Sequence, residues 1–134
     1  MRKISKIIIH CTATPVRRRV TAAEVDRWHR ARGWNGIGYH YLIGIDGTVE
    51  RGRPEAIAGA HCKGQNASSI GIAYAGGLDD SGAPADTRTP AQRSALKILV
   101  KELLERYPGA TIHGHNEFAA KACPCFNVSK EFKC

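Results

Sequence analysis

Long apolar runs are missing from this chain. None approaches the roughly 20 residues that cross a bilayer as a helix, so no membrane partner is expected. The basic opening "MRKISKIIIHC" holds only three consecutive apolar residues, Ile7 to Ile9, too few for the core of a secretory signal. Synthesis in the cytoplasm, with no export signal of its own, is expected. Paired C-x-x-C hooks are absent, which excludes the zinc-finger spacing. So is H-E-x-x-H, which excludes the usual metalloprotease base. There is no internal repeat and no low-complexity segment. Acidic residues are few: 12 against 20 Lys and Arg, a formal charge of +8. That balance favours a polyanionic partner such as a cell-wall polymer, nucleic acid or an anionic surface. The basic residues are scattered, with Arg17 to Arg19 the one run. A stripe interleaved with aromatics is missing, so nucleic acid is not expected.

What is present fits one domain, 1–134, with one core. Five cysteines, Cys11, Cys62, Cys123, Cys125 and Cys134, make an odd number. Without a signal peptide they point to metal binding or free thiols rather than a disulfide framework.

Residues 4–13, "ISKIIIHCTA", read as a buried strand. Alternation puts His10 with Ile8 and Thr12, and Cys11 with Ile9 on the other face. "VTAAEVDRWHRARG" reads as a helix. Thr21 and Glu24 form a capping box, Val20 and Val25 a hydrophobic staple, and Gly33 ends it. "YHYLIGIDGTVERGR" reads as a hairpin, with Asp46-Gly47 as a type I′ turn between strands 39–45 and 48–51. Tyr39, Tyr41, Ile43 and Ile45 then share a face. Residues 52–68 read as a surface loop, 69–75 as a strand, and the turn-rich 76–88 as a candidate functional loop. Thr89, Pro90 and Gln92 open a second helix, whose stripe is Leu96, Leu99, Val100, Leu103, Leu104 and Tyr107. Pro108-Gly109 stops it, and "ATIHG" is a last strand. The alternation predicts an α/β (α+β) fold: a central mixed sheet flanked by helices. Its strand ends bring His10 near the segment from His113 to Cys125.

That segment, "HGHNEFAAKACPC", concentrates imidazole, amine and thiol. Zinc takes neutral imidazole and thiolate, and catalytic sites keep three protein ligands with one open position. His10, His61, His113, His115, Cys123 and Cys125 are all candidates on residue type. The spacing suits a catalytic site built from distant segments, and it leaves the choice of ligands open.

The order of "IIIHCTAT", "GWNGIGYHYLIGIDGTVERGR", "GAHCKGQNASSIGI", "TPAQ" and "HNEFAAKACP" resembles the zinc-dependent N-acetylmuramoyl-L-alanine amidases of type 2. Phage lysozymes of that kind and peptidoglycan recognition proteins share the pattern. The resemblance covers nearly the whole chain. It implies Zn2+ held by His10, His115 and Cys123, at the sheet edge in a surface groove. It implies catalytic roles for Tyr39 and Lys121, and places His61 near the substrate groove, where substrate binding is the expectation. The implied substrate is peptidoglycan or its muropeptides, and the protein is expected to act as a monomer on the cell wall after release or export. No separate cell-wall-binding domain is expected; the basic surface takes that part. The alternative is a recognition module of the same fold that binds without cutting. Recognition proteins that do not cut typically lack the ligand cysteine, so Cys123 favours the enzyme. Cys125 departs from the pattern, which commonly has a small polar residue there. Which of Tyr39 and Lys121 protonates the leaving amine stays open.

Overall fold

The computed structural model describes residues 2–132, so Cys134 lies outside the described residues. In chain order the elements are β1 (Lys6–Cys11), β2 (Thr14–Pro15), α1 (Ala22–Ala31), β3 (Tyr41–Ile43), β4 (Val49–Arg51), β5 (Ser69–Tyr74), β6 (Gly77–Leu78), α2 (Pro90–Arg106), β7 (Thr111–Gly114) and α3 (Val128–Glu131). Turns of 3-10 helix span Asn66–Ser68 and His115–Glu117. Five strands form one sheet in the order β4-β3-β5-β1-β7. β3, β5, β1 and β7 run parallel, and β4 returns antiparallel beside β3. This is the mixed sheet expected from the alternation of elements.

A parallel strand covered on both faces needs apolar residues at successive positions. β1 supplies them, and Ile7, Ile8 and Ile9 have no exposed surface. Ile7, Ile9 and Cys11 face the main core, which α2 completes with Leu96, Leu99, Val100 and Leu103. On the other side Val20 and Val25, the expected staple, pack with Leu42, Ala73 and Ala75. Because Leu103 is fully buried, Leu103→Ala is expected to cost about 2–5 kcal/mol. Urea unfolding should show the midpoint falling with an unchanged slope.

Both long helices open on a capping box, that of α1 as expected. Thr21 Oγ1 accepts from Glu24 N at 3.2 Å while Glu24 Oε1 accepts from Thr21 N at 3.3 Å. In α2, Thr89 Oγ1 accepts from Gln92 N at 3.0 Å and Gln92 Oε1 from Thr89 N at 2.9 Å. Gln92 does more than cap. Its Nε2 donates to Ala75 O at 2.9 Å and Ile43 O at 3.3 Å, tying the helix start to the chain just past β5 and to the end of β3.

Two local expectations need correcting. The hairpin turn is not type I′, because that type needs positive φ at both central residues and only Gly47 has it, at 88°. Gly47 N donates to Gly44 O and Gly44 N to Thr48 O, both at 2.9 Å, so the loop has three residues and a left-handed glycine. Asp46 turns its carboxylate onto Thr48 N at 2.9 Å instead. Tyr39 and Ile45 do not share the face of Tyr41 and Ile43; they pack with the α1-side cluster. The ladder is irregular at His40, which donates its N–H to Gly71 O and accepts from Gly52 N, each at 2.9 Å. A regular strand residue aims both groups at one neighbour. The turn-rich 76–88 loop is braced from within. Asp79 Oδ1 accepts from Ser81 N and Ala83 N at 2.9 and 3.0 Å. Arg88, with 1% of its side chain exposed, bridges Asp86 and Glu131 at 2.9 and 2.6 Å.

Candidate metal centre

Parallel strands end along one edge of a sheet, and ligands gather beyond those carboxyl ends. His10 is the penultimate residue of β1, and His115 opens the 3-10 turn directly after β7, the neighbouring strand. Cys123 follows on the next loop, where Cys11 N donates to its Sγ at 3.2 Å. The ligand atoms of His10, His115 and Cys123 all lie within 4.8 Å of one another. Cys123 Sγ is 3.8 Å from His10 Nδ1. Tetrahedral zinc with ordinary bond lengths sets sulfur and nitrogen about 3.6 Å apart. Two imidazoles and one thiol at this spacing therefore fit zinc with one position left open.

The electrostatics agree with that chemistry. Burial drives the His10 pKa well below its usual value, and the neighbouring His61, His115 and Lys121 push the same way. His115 is lowered by burial and then by Lys121. Both rings are neutral at pH 7, as ligands must be. The Cys123 thiol is lowered chiefly by its hydrogen bond with the Cys11 side chain, against the opposing effect of burial.

The ring of Tyr39 lies 5.3 Å from that of His10 and 5.4 Å from that of His29. Burial, then Cys123 and Cys11, raises its hydroxyl pKa, so at neutral pH the phenol keeps its proton and can donate it in a hydrogen bond. A groove of about 570 Å³ opens beside these groups, lined by Trp34, His61, Lys63, His115, Phe118 and Lys121. Aromatic walls with a few polar groups are what an orienting ligand site requires.

The structure separates the remaining candidates. His113 is turned away, its Nδ1 on Glu117 Oε1 at 2.8 Å and its Nε2 on Thr111 Oγ1 at 2.6 Å. β7 stops at Gly114, and the 3-10 turn re-aims His115, so alternation fails to keep the two histidines on one face. Cys125 lies outside the three-residue group. It adopts a left-handed backbone with φ of 72°, and its Sγ faces Gly77 O at 3.5 Å. Burial is the main reason its thiol pKa rises to about 11. The 52–68 segment is less of a surface loop than expected, since His61 and Cys62 are buried. Asn66 Oδ1 fixes it by accepting from both His61 N and Cys62 N at 2.9 Å. The sequence reading missed Asn66, Trp34 and Phe118. An aromatic beside a glycine-rich turn was the available signal for Trp34.

The sequence model described as N-acetylmuramoyl-L-alanine amidase matches residues 1–126. The chain belongs to this amidase family. The amidase is 44% identical over 124 residues to the endolysin of Escherichia phage T7, a match covering 92% of this chain and 82% of the phage protein. It is 36% identical over 104 residues to peptidoglycan-recognition protein SC2 of Drosophila melanogaster, covering 75% of the amidase and 54% of the insect protein. Among solved structures, the N-acetylmuramoyl-L-alanine amidase LysC from Clostridium intestinale aligns with a TM-score of 0.82 at 34% identity, over 97% of this chain and 82% of LysC.

Proposed function

We propose that the amidase cleaves the amide joining N-acetylmuramic acid to L-alanine in peptidoglycan, with zinc held by His10, His115 and Cys123. The observation that carries this reading is the convergence of two neutral imidazoles and a thiol, from the end of β1 and the loop that follows β7, at the mouth of a groove. When bound, zinc supplies a Lewis acid and a water whose pKa falls to about 7. The chain's own residues do the rest. Hydrolysis of an amide builds negative charge on the carbonyl oxygen. Lys121, lining the groove beside His115, meets that charge with its ammonium. Tyr39, packed against His10, donates a neutral hydrogen bond to it. Both contacts strengthen as charge develops, and this is the condition for acceleration. Trp34 and Phe118 give the glycopeptide an apolar wall that holds it in register. The surplus of basic residues draws the protein to anionic wall polymer.

A recognition module that holds muropeptide without cutting is the second reading, and the complete donor set argues against it. Incubation of the purified, zinc-loaded protein with peptidoglycan is expected to release free stem peptides from intact glycan strands. Mass spectrometry of the soluble products decides the matter. New reducing sugar ends without free peptides would make it a glycosidase, and binding without release would make it a recognition module.

A further inference from the structure

The resemblance to known amidases places His61 near substrate, and it does line the groove, yet most of its ring is enclosed. The residue is 9% exposed. Its ring fills a slot cleared by two glycines: a Cβ at Gly71 would meet the ring at 2.6 Å, and one at Gly59 would meet its Cδ2 at 2.6 Å. His61 Nδ1 lies 2.9 Å from His10 Nε2. On the other side, His61 Nε2 lies 3.3 Å from Ser69 Oγ, and Ser69 is fully buried.

The direction of every proton in this row follows from its far end. Ser69 Oγ donates to the Gln65 carbonyl at 2.8 Å. A carbonyl only accepts, so the hydroxyl proton is committed there. Ser69 Oγ therefore accepts from His61, which puts the His61 proton on Nε2 and leaves Nδ1 bare. A bare His61 Nδ1 must accept from His10, which puts the His10 proton on Nε2. What remains is the His10 Nδ1 lone pair, and this is the nitrogen 3.8 Å from Cys123 Sγ. The opposite assignment would aim an N–H at the thiolate and leave no lone pair for a metal.

We propose that His61 is a positioning residue: the row Gln65 carbonyl–Ser69–His61 fixes the tautomer and ring orientation of His10, holding Nδ1 ready as a metal ligand. The proposal rests on the reading of His10 as a ligand. Outer partners of this kind commonly carry about 10- to 100-fold in metal affinity. His61 thereby contributes to the metal site as well as to the groove wall.

Two measurements test it. Long-range proton–nitrogen NMR of the metal-free protein should find both His10 and His61 protonated on Nε2. A proton on Nδ1 of either ring overturns the proposal, whether or not zinc binds. Chelator competition gives the second readout. His61→Leu, which fills the slot without an acceptor, should weaken zinc by about 10- to 100-fold. His61→Asn, whose amide oxygen stands close to the position of Nδ1, should recover most of that loss. Ser69→Ala should shift zinc affinity in the same direction by less, and it serves if His61→Leu does not fold. Unchanged zinc affinity in folded His61→Leu, or in Ser69→Ala, overturns the proposal. A wild-type protein that takes up no zinc overturns the ligand assignment instead, and the NMR result still judges the row.

Discussion

Cys123→Ser is expected to abolish zinc binding and hydrolysis together. On the proposed assignment Cys123 is the one anionic ligand beside two neutral imidazoles, and a serine hydroxyl is a far weaker donor to zinc than a thiolate. The loss should exceed the roughly 10- to 100-fold that follows removal of an outer partner. Metal analysis after dialysis against a zinc buffer checks it, with peptide release measured on the same sample. Cys125→Ser is the matched control. Its Sγ faces Gly77 O at 3.5 Å and stands outside the donor group, and a serine hydroxyl can make the same contact. Zinc content and rate should both stay near wild type. If Cys125→Ser emptied the site while Cys123→Ser kept it filled, the ligand assignment would have to be exchanged.

Lys121→Ala and Tyr39→Phe are expected to keep zinc and still bind muropeptide, yet lose turnover. Neither side chain is assigned as a ligand, so the cage of His10, His115 and Cys123 stays whole without it. Each is assigned to charge that appears only as the carbonyl is attacked, and losses of that kind fall on kcat rather than on binding. Removing one such donor typically costs about 100- to 1,000-fold. Steady-state rates on a soluble muropeptide, with zinc content measured in parallel, separate the two effects. Full activity in both variants would mean that the metal centre alone carries the reaction.

The fold was legible wherever a local rule acts locally. The isoleucine run of β1, the Thr21/Glu24 and Thr89/Gln92 boxes and the stripe of α2 each announce an element through the contacts that build it. Strand alternation also separated His10 from Cys11 correctly, since Ile9 and Cys11 join the core beneath α2. The failures lie where an element ends. At Gly114 a strand gives way to a 3-10 turn, which undoes the period of two and parts His113 from His115. At His40 the backbone serves two neighbouring strands at once, and Tyr39 ends on the face opposite Tyr41.

Composition narrowed the site to six donors but did not choose among them. The choice depends on which strand ends are neighbours, a property of the assembled sheet. The surroundings of His61 were illegible for the same reason. Its slot is made by the missing side chains of Gly59 and Gly71, and a sequence gives no sign of which ring a glycine makes room for.

The sheet topology also sets the order in which the proposed centre can assemble. β1 is made well before its neighbour β7, the strand that leads to His115, which comes about a hundred residues later, with Cys123 later still. Until those residues have been made, His10 has neither proposed co-ligand beside it, and Lys121 has not reached the groove. The proposed centre is complete only once β7 and the loop that carries Cys123 have docked beside β1.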